Sequence, residues 1–295
     1  LLRMKSYLFP GQGAQFLGMG KDMYDQYDHI ARMFEEANKL LGFEITDILF
    51  GDDEDALKRT DVTQPAIYIH SMAKALILGD DFRPDMAAGH SLGEFSALAA
   101  CGAMTFEDGL RLVSMRAKAM QEACEANPGT MAAVLGLDDQ IVEEVCGNID
   151  EVVVPANYNC PGQLVISGSL DGIKIASEKL LAKGALKVVT LQVGGAFHSP
   201  LMADAQAKLE KAIRETEMKM PTCKVYQNVN ARPGSTVEEI RQNLIEQLTA
   251  PVRWTQTMQN MIADGMTSAL EVGGTGSVLR GLLRKVDRSI PSETA

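Results

Sequence analysis

The chain has 295 residues and is long enough for one large domain or two smaller ones, since domains usually span roughly 100–200 residues. Hydrophobic residues make up 46% and charged residues 23%, which excludes a disordered chain, and no apolar run reaches the ~20 residues of a membrane-spanning helix. The formal net charge of −11 argues against a nucleic-acid partner, because that interaction needs a basic surface.

The first hundred residues alternate between short apolar runs and helical patterns. KSYLF, ended by PGQG, predicts a strand and its turn, and DMYDQYDHIARMFEEANKLL predicts a helix. QPAIYIHSMAKALIL predicts a buried helix, and DMAAGHSLGEFSALAACGA predicts a strand, a sharp turn and a helix. Strands that alternate with helices predict an α/β fold with a parallel sheet covered on both faces.

Residues 129–195 follow a different order of elements. The patterns predict a strand, a helix, two strands, a helix and a strand in TMAAVLGL, DDQIVEEVCGNI, EVVVPANY, QLVISG, LDGIKIASEKLLAKG and ALKVVTLQV. This βαββαβ order is the ferredoxin-like arrangement. We therefore predict a ferredoxin-like subdomain at 129–195, inserted into an α/β core of residues 1–128 and 196–295 that resumes with helices in LMADAQAKLEKAIRE and TVEEIRQNLIEQL.

The five cysteines are scattered along the chain and form no CxxC pair. This pattern predicts free thiols in a reducing compartment, with neither a disulfide framework nor a zinc site. The opening residues, LLRMKSYLFPG, do not have the apolar stretch of a signal peptide. We therefore predict a cytoplasmic location.

The sequence Gly89-His90-Ser91-Leu92-Gly93 has the G-x-S-x-G pattern of a nucleophile turn. In such a turn the serine lies on a strained link between a strand and a helix, and the glycines leave room for neighbouring elements. The helix N-terminus favours the negative charge that develops in the reaction. Three fixed positions also occur by chance, but here an apolar strand precedes the pattern and the helix EFSALAA follows it. We therefore predict that Ser91 is a nucleophile.

A nucleophilic serine needs a base, and the chain has four histidines. His29 lies on a charged helix and is expected to be exposed, while His70 lies in an apolar run that is typical of a core residue. His90 is next to Ser91, but its side chain should point away from the serine. His198, in GGAFHSPLM, follows a predicted strand, where α/β proteins place catalytic groups. We predict His198 as the base, with packing near a helix start as the alternative.

Arg116 lies on the apolar face of the predicted helix GLRLVSMRAKAMQEA. A guanidinium needs a partner there, because burying an unpaired charge is costly. The partner could be Glu94, in a structural ion pair, or the carboxylate of a substrate. Residue patterns alone leave both possibilities open.

Two glycine-rich stretches lack the residues of nucleotide-binding loops. PGQGAQFLG has Phe16 where G-x-G-x-x-G needs its third glycine, and EVGGTGSVLRGLLRK has no GK[ST]. We predict no cofactor and no metal ion.

Eight motifs follow one another along essentially the whole chain: FPGQGAQFLGMG, GHSLGE, SMRAKAMQEA, NYNCPGQLVISG, GAFHSPLM, YQNVNARP, QLTAPVRW and EVGGTGSVLRGLL. The order and approximate spacing of these motifs resemble those of bacterial malonyl-CoA:acyl carrier protein transacylases. The resemblance implies an α/β-hydrolase-like core with a ferredoxin-like insertion. It also implies an acyltransferase that moves a malonyl group from malonyl-CoA to the phosphopantetheine thiol of acyl carrier protein, through a malonyl-serine ester, in fatty acid biosynthesis.

The resemblance assigns the catalytic roles to particular residues. Ser91 would be the nucleophile and His198 the general base and acid, and Arg116 would pair with the free malonyl carboxylate. The backbone N–H groups of Gln12 and Leu92 would form the oxyanion hole.

Three further positions carry roles implied by the resemblance. The main-chain carbonyl of Gln247 would orient the histidine, in place of a triad carboxylate. Asn159 matches an active-site asparagine. Phe197 and Leu92 go with malonyl rather than methylmalonyl in similar enzymes, although one methyl group discriminates only ~10–200-fold.

The expected partners are malonyl-CoA and an acyl carrier protein, and the chain itself is expected to be a monomer. Carrier proteins are acidic whereas this chain is net negative, so a local basic patch is expected. The candidates are Lys187, Arg280, Arg284, Lys285 and Arg288. The alternative is a solvated helix face followed by a basic tail.

Three other functions stay open at the level of sequence. They are a free-standing acyltransferase of a polyketide pathway, an acyl hydrolase on the same fold, and a scaffold that only docks carrier proteins. Arg116 argues against the hydrolase, because a carboxylate clamp suits a malonyl donor. The intact set of Ser91, His198 and Arg116 argues against the scaffold.

Overall fold

The computed structural model describes residues 2–295; residue 1, which the predicted core includes, lies outside the described residues. Two β-sheets are present in this part of the chain. The strands are β1 (Lys5–Phe9), β2 (Met86–Gly89), β3 (Gly129–Leu135), β4 (Val153–Cys160), β5 (Gln163–Ser169), β6 (Lys187–Thr190), β7 (Lys224–Tyr226), β8 (Ser268–Glu271) and β9 (Ser292–Thr294).

Helices connect these strands and cover the sheets. They are α1 (Lys21–Gln26), α2 (Asp28–Leu41), α3 (Ile45–Leu49), α4 (Glu54–Lys58), α5 (Thr60–Leu78), α6 (Leu92–Ala100), α7 (Phe106–Ala126), α8 (Asp139–Gly147), α9 (Leu170–Ala182), α10 (Ala203–Glu215), α11 (Val237–Gln247), α12 (Trp254–Ala263) and α13 (Val278–Val286). Short 3₁₀ turns span Gly79–Asp81 and Pro200–Met202.

The larger sheet has the strand order β7-β2-β1-β8-β9, and every neighbouring pair is parallel. Side chains alternate across a strand, and those of β1 enter two separate hydrophobic clusters. Tyr7 and Phe9 pack with residues of α5, α6 and α7, whereas Leu8 packs with residues of α12 and α13. Helices therefore cover both faces, and the predicted α/β fold with a parallel sheet is confirmed.

The smaller sheet has the strand order β4-β5-β3-β6, and its pairs are antiparallel. Its elements follow the chain order β3-α8-β4-β5-α9-β6. Apolar side chains of α8 and α9 form a separate cluster on this sheet, around Ile166 and Leu164. Backbone hydrogen bonds join the sheet to the rest of the protein, from Tyr158 N–H to the Val252 carbonyl and from Val252 N–H to the Ala156 carbonyl.

Some helix boundaries differ from the sequence prediction. The pattern from residue 22 to residue 41 predicts one helix, but the structure has two, because Tyr27 is extended at φ −125° and ψ 114°. An extended residue cannot continue the α-helical hydrogen bonding, although the apolar periodicity runs through it. The helix predicted from Leu201 begins at Ala203, after the 3₁₀ turn.

All five cysteines lie in the described part of the chain and are unpaired, as predicted. Between residues 2 and 295, no helix combines the length and the apolar character needed to cross a membrane.

The carboxyl ends of three neighbouring strands lie at one edge of the parallel sheet. The loop after β1 carries Gln12, the turn after β2 carries Ser91, and the loop after β7 carries Asn228. Parallel sheets present their functional loops at this edge, because all their strands end there. The candidate site is assembled at this position.

Candidate active site

The turn between β2 and α6 holds Ser91 at φ 53° and ψ −112°, a conformation that residues with a side chain rarely adopt. The flanking glycines allow close backbone contact. A Cβ at Gly89 would lie 1.8 Å from the Gly93 carbonyl oxygen, and a Cβ at Gly93 would lie 2.0 Å from the Phe9 carbonyl oxygen. The predicted need for glycine at both positions is therefore confirmed by sterics.

His198 lies beside the serine. Its Nε2 is 2.8 Å from Ser91 Oγ, and its Nδ1 is 2.9 Å from the main-chain oxygen of Gln247. Because a carbonyl only accepts, Nδ1 carries the proton, and Nε2 presents its lone pair to the serine hydroxyl. Burial, and then the nearby Arg116 charge, lower the pKa of His198 to about 3. The imidazole is therefore neutral at physiological pH and able to accept a proton.

Arg116 is buried at 1% exposure and reaches the same serine. Its Nη2 donates to Ser91 Oγ at 3.0 Å and to Gln247 Oε1 at 3.1 Å, while its Nη1 donates to Gln64 Oε1 at 2.7 Å. Its Nε is buried without a hydrogen-bond partner. Burial lowers the pKa of Arg116 to about 10, so the group stays charged at neutral pH.

Glu94, the alternative partner of Arg116, is fully buried but forms no ion pair with it in residues 2–295. The carboxylate instead accepts from Asn228 N–H at 2.6 Å and from Gln227 Nε2 at 3.5 Å. Burial raises the pKa of Glu94 to about 7, against the opposing effect of these hydrogen bonds and the Arg116 charge. All oxygen partners of the guanidinium are therefore uncharged side chains.

A cavity of about 480 Å³ opens onto these groups. Its apolar wall includes Leu92, Met120, Met131 and Phe197, and its polar lining includes Gln12, Gln64, Asn157, Gln163 and Gln192. In the described chain, neither Gln12 N–H nor Leu92 N–H donates a hydrogen bond. Both amides are therefore available to a ligand in a cavity of ordinary small-molecule size.

The other histidines have different surroundings. His29 is exposed, and His70 accepts a hydrogen bond from Gly274 N–H at 2.8 Å in the core, as predicted for each. His90 Nε2 bonds Asn159 Oδ1 at 2.8 Å and packs near Trp254, so its ring is engaged away from the serine. Asn159 thus contacts His90, while Asn157, two residues earlier, lines the cavity.

The basic candidates lie at two places, and none of them lines the cavity. Lys187 is exposed at the start of β6, and Arg284, Lys285 and Arg288 are exposed at and just beyond the end of α13. The Arg280 guanidinium instead bonds Ser292 and Thr294 of β9. Arg280 therefore connects α13 to the edge strand β9. The basic candidates whose charges stay exposed to solvent are Lys187, Arg284, Lys285 and Arg288.

Several polar residues of the site have no place in the sequence prediction, and two of them contact Arg116 or the nucleophile turn directly. Gln64 lies on the buried helix α5 and contacts Arg116, and Asn228 contacts the nucleophile turn through Ser91 N–H at 2.8 Å. A signal was available in both cases. Gln64 interrupts an apolar helix, and Asn228 belongs to a polar run, QNVN, directly after a strand.

Comparison with known proteins gives consistent matches over nearly the whole chain. A family model described as the acyl transferase domain matches residues 6–294. The malonyl CoA-acyl carrier protein transacylase of Bacillus subtilis (strain 168) is 40% identical over 289 residues, which are 97% of this chain and 91% of that protein.

Solved structures of similar proteins have the same fold. The malonyl CoA-acyl carrier protein transacylase of Coxiella burnetii superposes with a TM-score of 0.95 at 32% identity, covering 99% of this chain and 93% of that one. A malonyl-transacylase in complex with a type II PKS acyl-carrier protein gives a TM-score of 0.94 at 34% identity, covering 99% and 96%.

Proposed function

We propose a function from the premise that the chain belongs to the malonyl CoA-acyl carrier protein transacylase family of acyl transferases. In this proposal it transfers a malonyl group from malonyl-CoA to the phosphopantetheine thiol of an acyl carrier protein, in fatty acid biosynthesis. One observation carries the proposal. Ser91 Oγ lies within hydrogen-bond distance of both His198 Nε2 and Arg116 Nη2. These contacts support the proposed roles of Ser91 as nucleophile, His198 as its base and Arg116 as the cation that binds the carboxylate.

In the first half-reaction, Ser91 Oγ attacks the thioester carbon of malonyl-CoA and passes its proton to His198 Nε2. The carbonyl oxygen becomes an oxyanion, for which the free N–H groups of Gln12 and Leu92 are the donors. The C–S bond then breaks, the thiolate of coenzyme A takes the proton from His198, and a malonyl-serine ester remains.

Arg116 gives the site its preference for a dicarboxylic acyl group. Its charge is buried and its oxygen partners are all neutral, so a carboxylate entering the cavity gains a strong charge-assisted hydrogen bond. Phe197 and Leu92 narrow the same cavity, and we propose that they disfavour a methyl branch on the malonyl group.

In the second half-reaction, the carrier's phosphopantetheine thiol attacks the malonyl-serine carbonyl. His198 accepts the thiol proton and returns it to Ser91 Oγ as the C–O bond breaks. The product is malonyl-carrier protein and free enzyme. His198 suits both steps, because its Nδ1–H is held by Gln247 and its Nε2 faces the reacting oxygen.

The acidic carrier is proposed to dock beside the cavity mouth, on Lys187, Arg284 and Lys285. Helix α13 begins at Val278, which lines the cavity, and Arg284 lies about 9 Å farther along the helix at ~1.5 Å per residue. Strand β6 similarly leads from Lys187 to Leu191 in the cavity wall. Both cationic positions therefore flank the route that a carrier-bound thiol would take.

Several finer assignments belong to the same proposal. The parallel sheet is the α/β-hydrolase-like core, formed by residues 1–128 and 196–295. The smaller sheet, with strand order β4-β5-β3-β6, is the ferredoxin-like subdomain at 129–195. The enzyme is proposed to act as a cytoplasmic monomer without a metal ion or cofactor, and Asn159 to support the site through His90.

A polyketide pathway is the second candidate for the transferase. It is favoured by the similar malonyl-transacylase in complex with a type II PKS acyl-carrier protein. The two pathways share the chemistry of the site and differ in the carrier that is supplied with malonyl groups.

The proposal is tested by intact mass spectrometry after the protein is mixed with malonyl-CoA and then with carrier protein. We expect a malonyl adduct on the enzyme that disappears as the carrier gains it, and no adduct on Ser91→Ala. An adduct lost to free malonate, with the carrier unmodified, would instead identify a hydrolase. Folded protein with no adduct at all would show that malonyl-CoA is not the donor.

A further inference from the structure

The backbone of Ser91 must be held in place by its surroundings. Its φ of 53° is unfavourable for a residue with a side chain, and such conformations persist only where neighbouring groups fix them. The Ser91–Leu92 peptide matters in addition, since its N–H is one of the two free amides at the cavity. A residue that fixes this turn therefore controls both the nucleophile and an oxyanion donor.

Asn228 bonds both ends of the nucleophile turn. Its Oδ1 accepts from Ser91 N–H at 2.8 Å, and its Nδ2 donates to the Gly89 carbonyl at 2.7 Å. Its side chain is fully buried, so these bonds are not exchanged with water. Asn228 Oδ1 also accepts from Gln247 Nε2 at 3.1 Å, and the same Nε2 donates to the Ser91 carbonyl at 2.9 Å.

Glu94 anchors Asn228 from the other side. The buried carboxylate accepts from Asn228 N–H at 2.6 Å, and Glu94 N–H donates to the Ser91 carbonyl at 3.0 Å. Glu94 lies in the first turn of α6, whereas Asn228 lies in the loop after β7. The pair therefore links the start of the nucleophile helix to a neighbouring strand end.

We propose that Asn228, anchored by Glu94, is a positioning residue for acyl transfer to Ser91. The inference rests on the proposed function, which supplies the acyl-transfer reaction. It acts through the backbone and touches no reacting atom. Hydrogen bonds from Gln247 and Glu94 fix the direction of the Ser91 carbonyl, and the N–H of the same trans peptide points the opposite way. Asn228 acts on this peptide through its own bonds to Ser91 N–H and Gln247 Nε2, and it thereby keeps Leu92 N–H and Ser91 Oγ aimed together at the substrate carbonyl.

The test compares two reactions of Ser91 in the full-length protein with Asn228→Ala. One is acylation by malonyl-CoA, and the other is phosphonylation by a fluorophosphonate, which needs the serine and the oxyanion donors but no carboxylate site. We expect both maximal rates to fall ~10- to 100-fold, the scale of a misplaced reacting group, with the KM for malonyl-CoA within about two-fold.

Asn38→Ala is the matched control. Asn38 is also a buried asparagine whose Oδ1 accepts a backbone N–H and whose Nδ2 donates, but its partners Thr46 and Glu44 are remote from the cavity. Its loss should reduce stability and leave both Ser91 reactions unchanged. If Asn228→Ala fails to fold, Asn228→Asp serves instead, because it keeps the volume and the acceptor but, when ionised, has no donor for the Gly89 carbonyl.

The outcomes separate this inference from the function proposed above. The positioning role would be overturned by a folded Asn228 variant whose maximal rates lie within two-fold of those of the parent protein. It would also be overturned if Asn38→Ala lost the same fraction of both maximal rates, or if the Asn228 variant changed only KM. If the parent protein reacts with fluorophosphonate but not with malonyl-CoA, the malonyl-transfer proposal fails. The positioning role is then decided by the phosphonylation rates alone.

Discussion

At the scale of single residues, Arg116 is the residue that we propose as the main determinant of acyl selectivity. Its guanidinium bonds only neutral oxygens and is buried, so its positive field is available to a substrate carboxylate. We expect Arg116→Gln to lower kcat/KM for malonyl-CoA by ~30- to 1000-fold, the range for removing one partner of a buried charge pair. Acetyl-CoA has no free carboxylate, and its acylation rate should fall much less.

The comparison requires both thioesters and a control on the same helix. Arg111 lies on the solvent side of α7, paired with Asp108 at the surface, and Arg111→Gln should leave both rates unchanged. Equal losses with malonyl-CoA and acetyl-CoA in Arg116→Gln would show that Arg116 serves Ser91 rather than the carboxylate.

The buried carboxyl of Glu94 makes stability depend on pH. Its pKa is raised from 4.5 to about 7 in the folded protein, chiefly by burial. Between these values the folded chain keeps a proton that the unfolded chain has lost, so the contribution of Glu94 to stability falls as pH rises through this window. Glu94→Gln removes the titration. The free energy of unfolding of the variant minus that of the parent protein should therefore be larger at pH 8 than at pH 5, by on the order of 1–3 kcal/mol.

Urea unfolding of both proteins at the two pH values checks this expectation. Glu122→Gln, at an exposed position, is the control and should show no such gain. A difference between Glu94→Gln and the parent protein that is the same at pH 5 and pH 8 would mean that the carboxyl does not titrate in this range.

Sequence reasoning could select candidate residues where the local pattern is distinctive. Ser91 was selected from its own turn, and His198 by elimination among four histidines and from its place after a strand; the structure brings the two side chains within 2.8 Å of each other. The two explanations of Arg116 required coordinates, because they differ in which group lies beside the guanidinium. Asn228 could not be assigned, since its partner Ser91 is 137 positions away and a polar run after a strand has many uses.

At the scale of elements, α13 is expected to decide how the carrier binds. The helix starts at the cavity with Val278 and carries Arg284 and Lys285 in its last turn. We expect Arg284→Glu with Lys285→Glu to raise the KM for carrier protein ~5- to 30-fold at low salt, less at high salt, because surface attraction is screened. The rate of acylation by malonyl-CoA, measured without carrier, should stay unchanged.

Charge reversal at Lys174 and Lys179, both exposed on α9, provides the control for net charge alone. It changes the net charge by the same amount at two residues that do not line the cavity. An equal rise in carrier KM from this pair would indicate that the whole negative surface repels the carrier, and that α13 has no special part.

The elements themselves were predictable where they are long and periodic. Helices α5 and α7 and strands β3 and β5 have seven or more residues, and their apolar pattern is visible in the sequence. Strands β7, β8 and β9 have three or four residues, which are too few for an alternation of apolar and polar residues to be recognised in the sequence. They exist because β2, β1 and β8 offer edges to which β7, β8 and β9 respectively can pair, which is a tertiary effect.

At the scale of the whole molecule, one cavity must serve two substrates. The parallel sheet presents Ser91 on one side of it, and the smaller sheet supplies Met131, Asn157 and Gln163 on the other. Backbone hydrogen bonds join β4 of the smaller sheet to Val252, and the N–H of the next residue, Arg253, donates to the Asn228 carbonyl in the loop after β7 of the parallel sheet. These bonds hold the two walls in fixed positions. Since a single nucleophile faces a single cavity of about 480 Å³, coenzyme A and the carrier's phosphopantetheine must occupy the same space.

Shared occupancy predicts a ping-pong mechanism in which coenzyme A leaves before the carrier's thiol enters. Initial rates measured against malonyl-CoA at several carrier concentrations should therefore give parallel double-reciprocal lines, and each substrate should inhibit competitively against the other at high concentration. The malonyl-serine ester should also form at full rate without carrier, because every group proposed for the first half-reaction belongs to the enzyme: Ser91, His198, Arg116 and the free amides of Gln12 and Leu92. Intersecting lines would require a complex with both substrates bound, and hence a second route to Ser91 from the other side of the cavity.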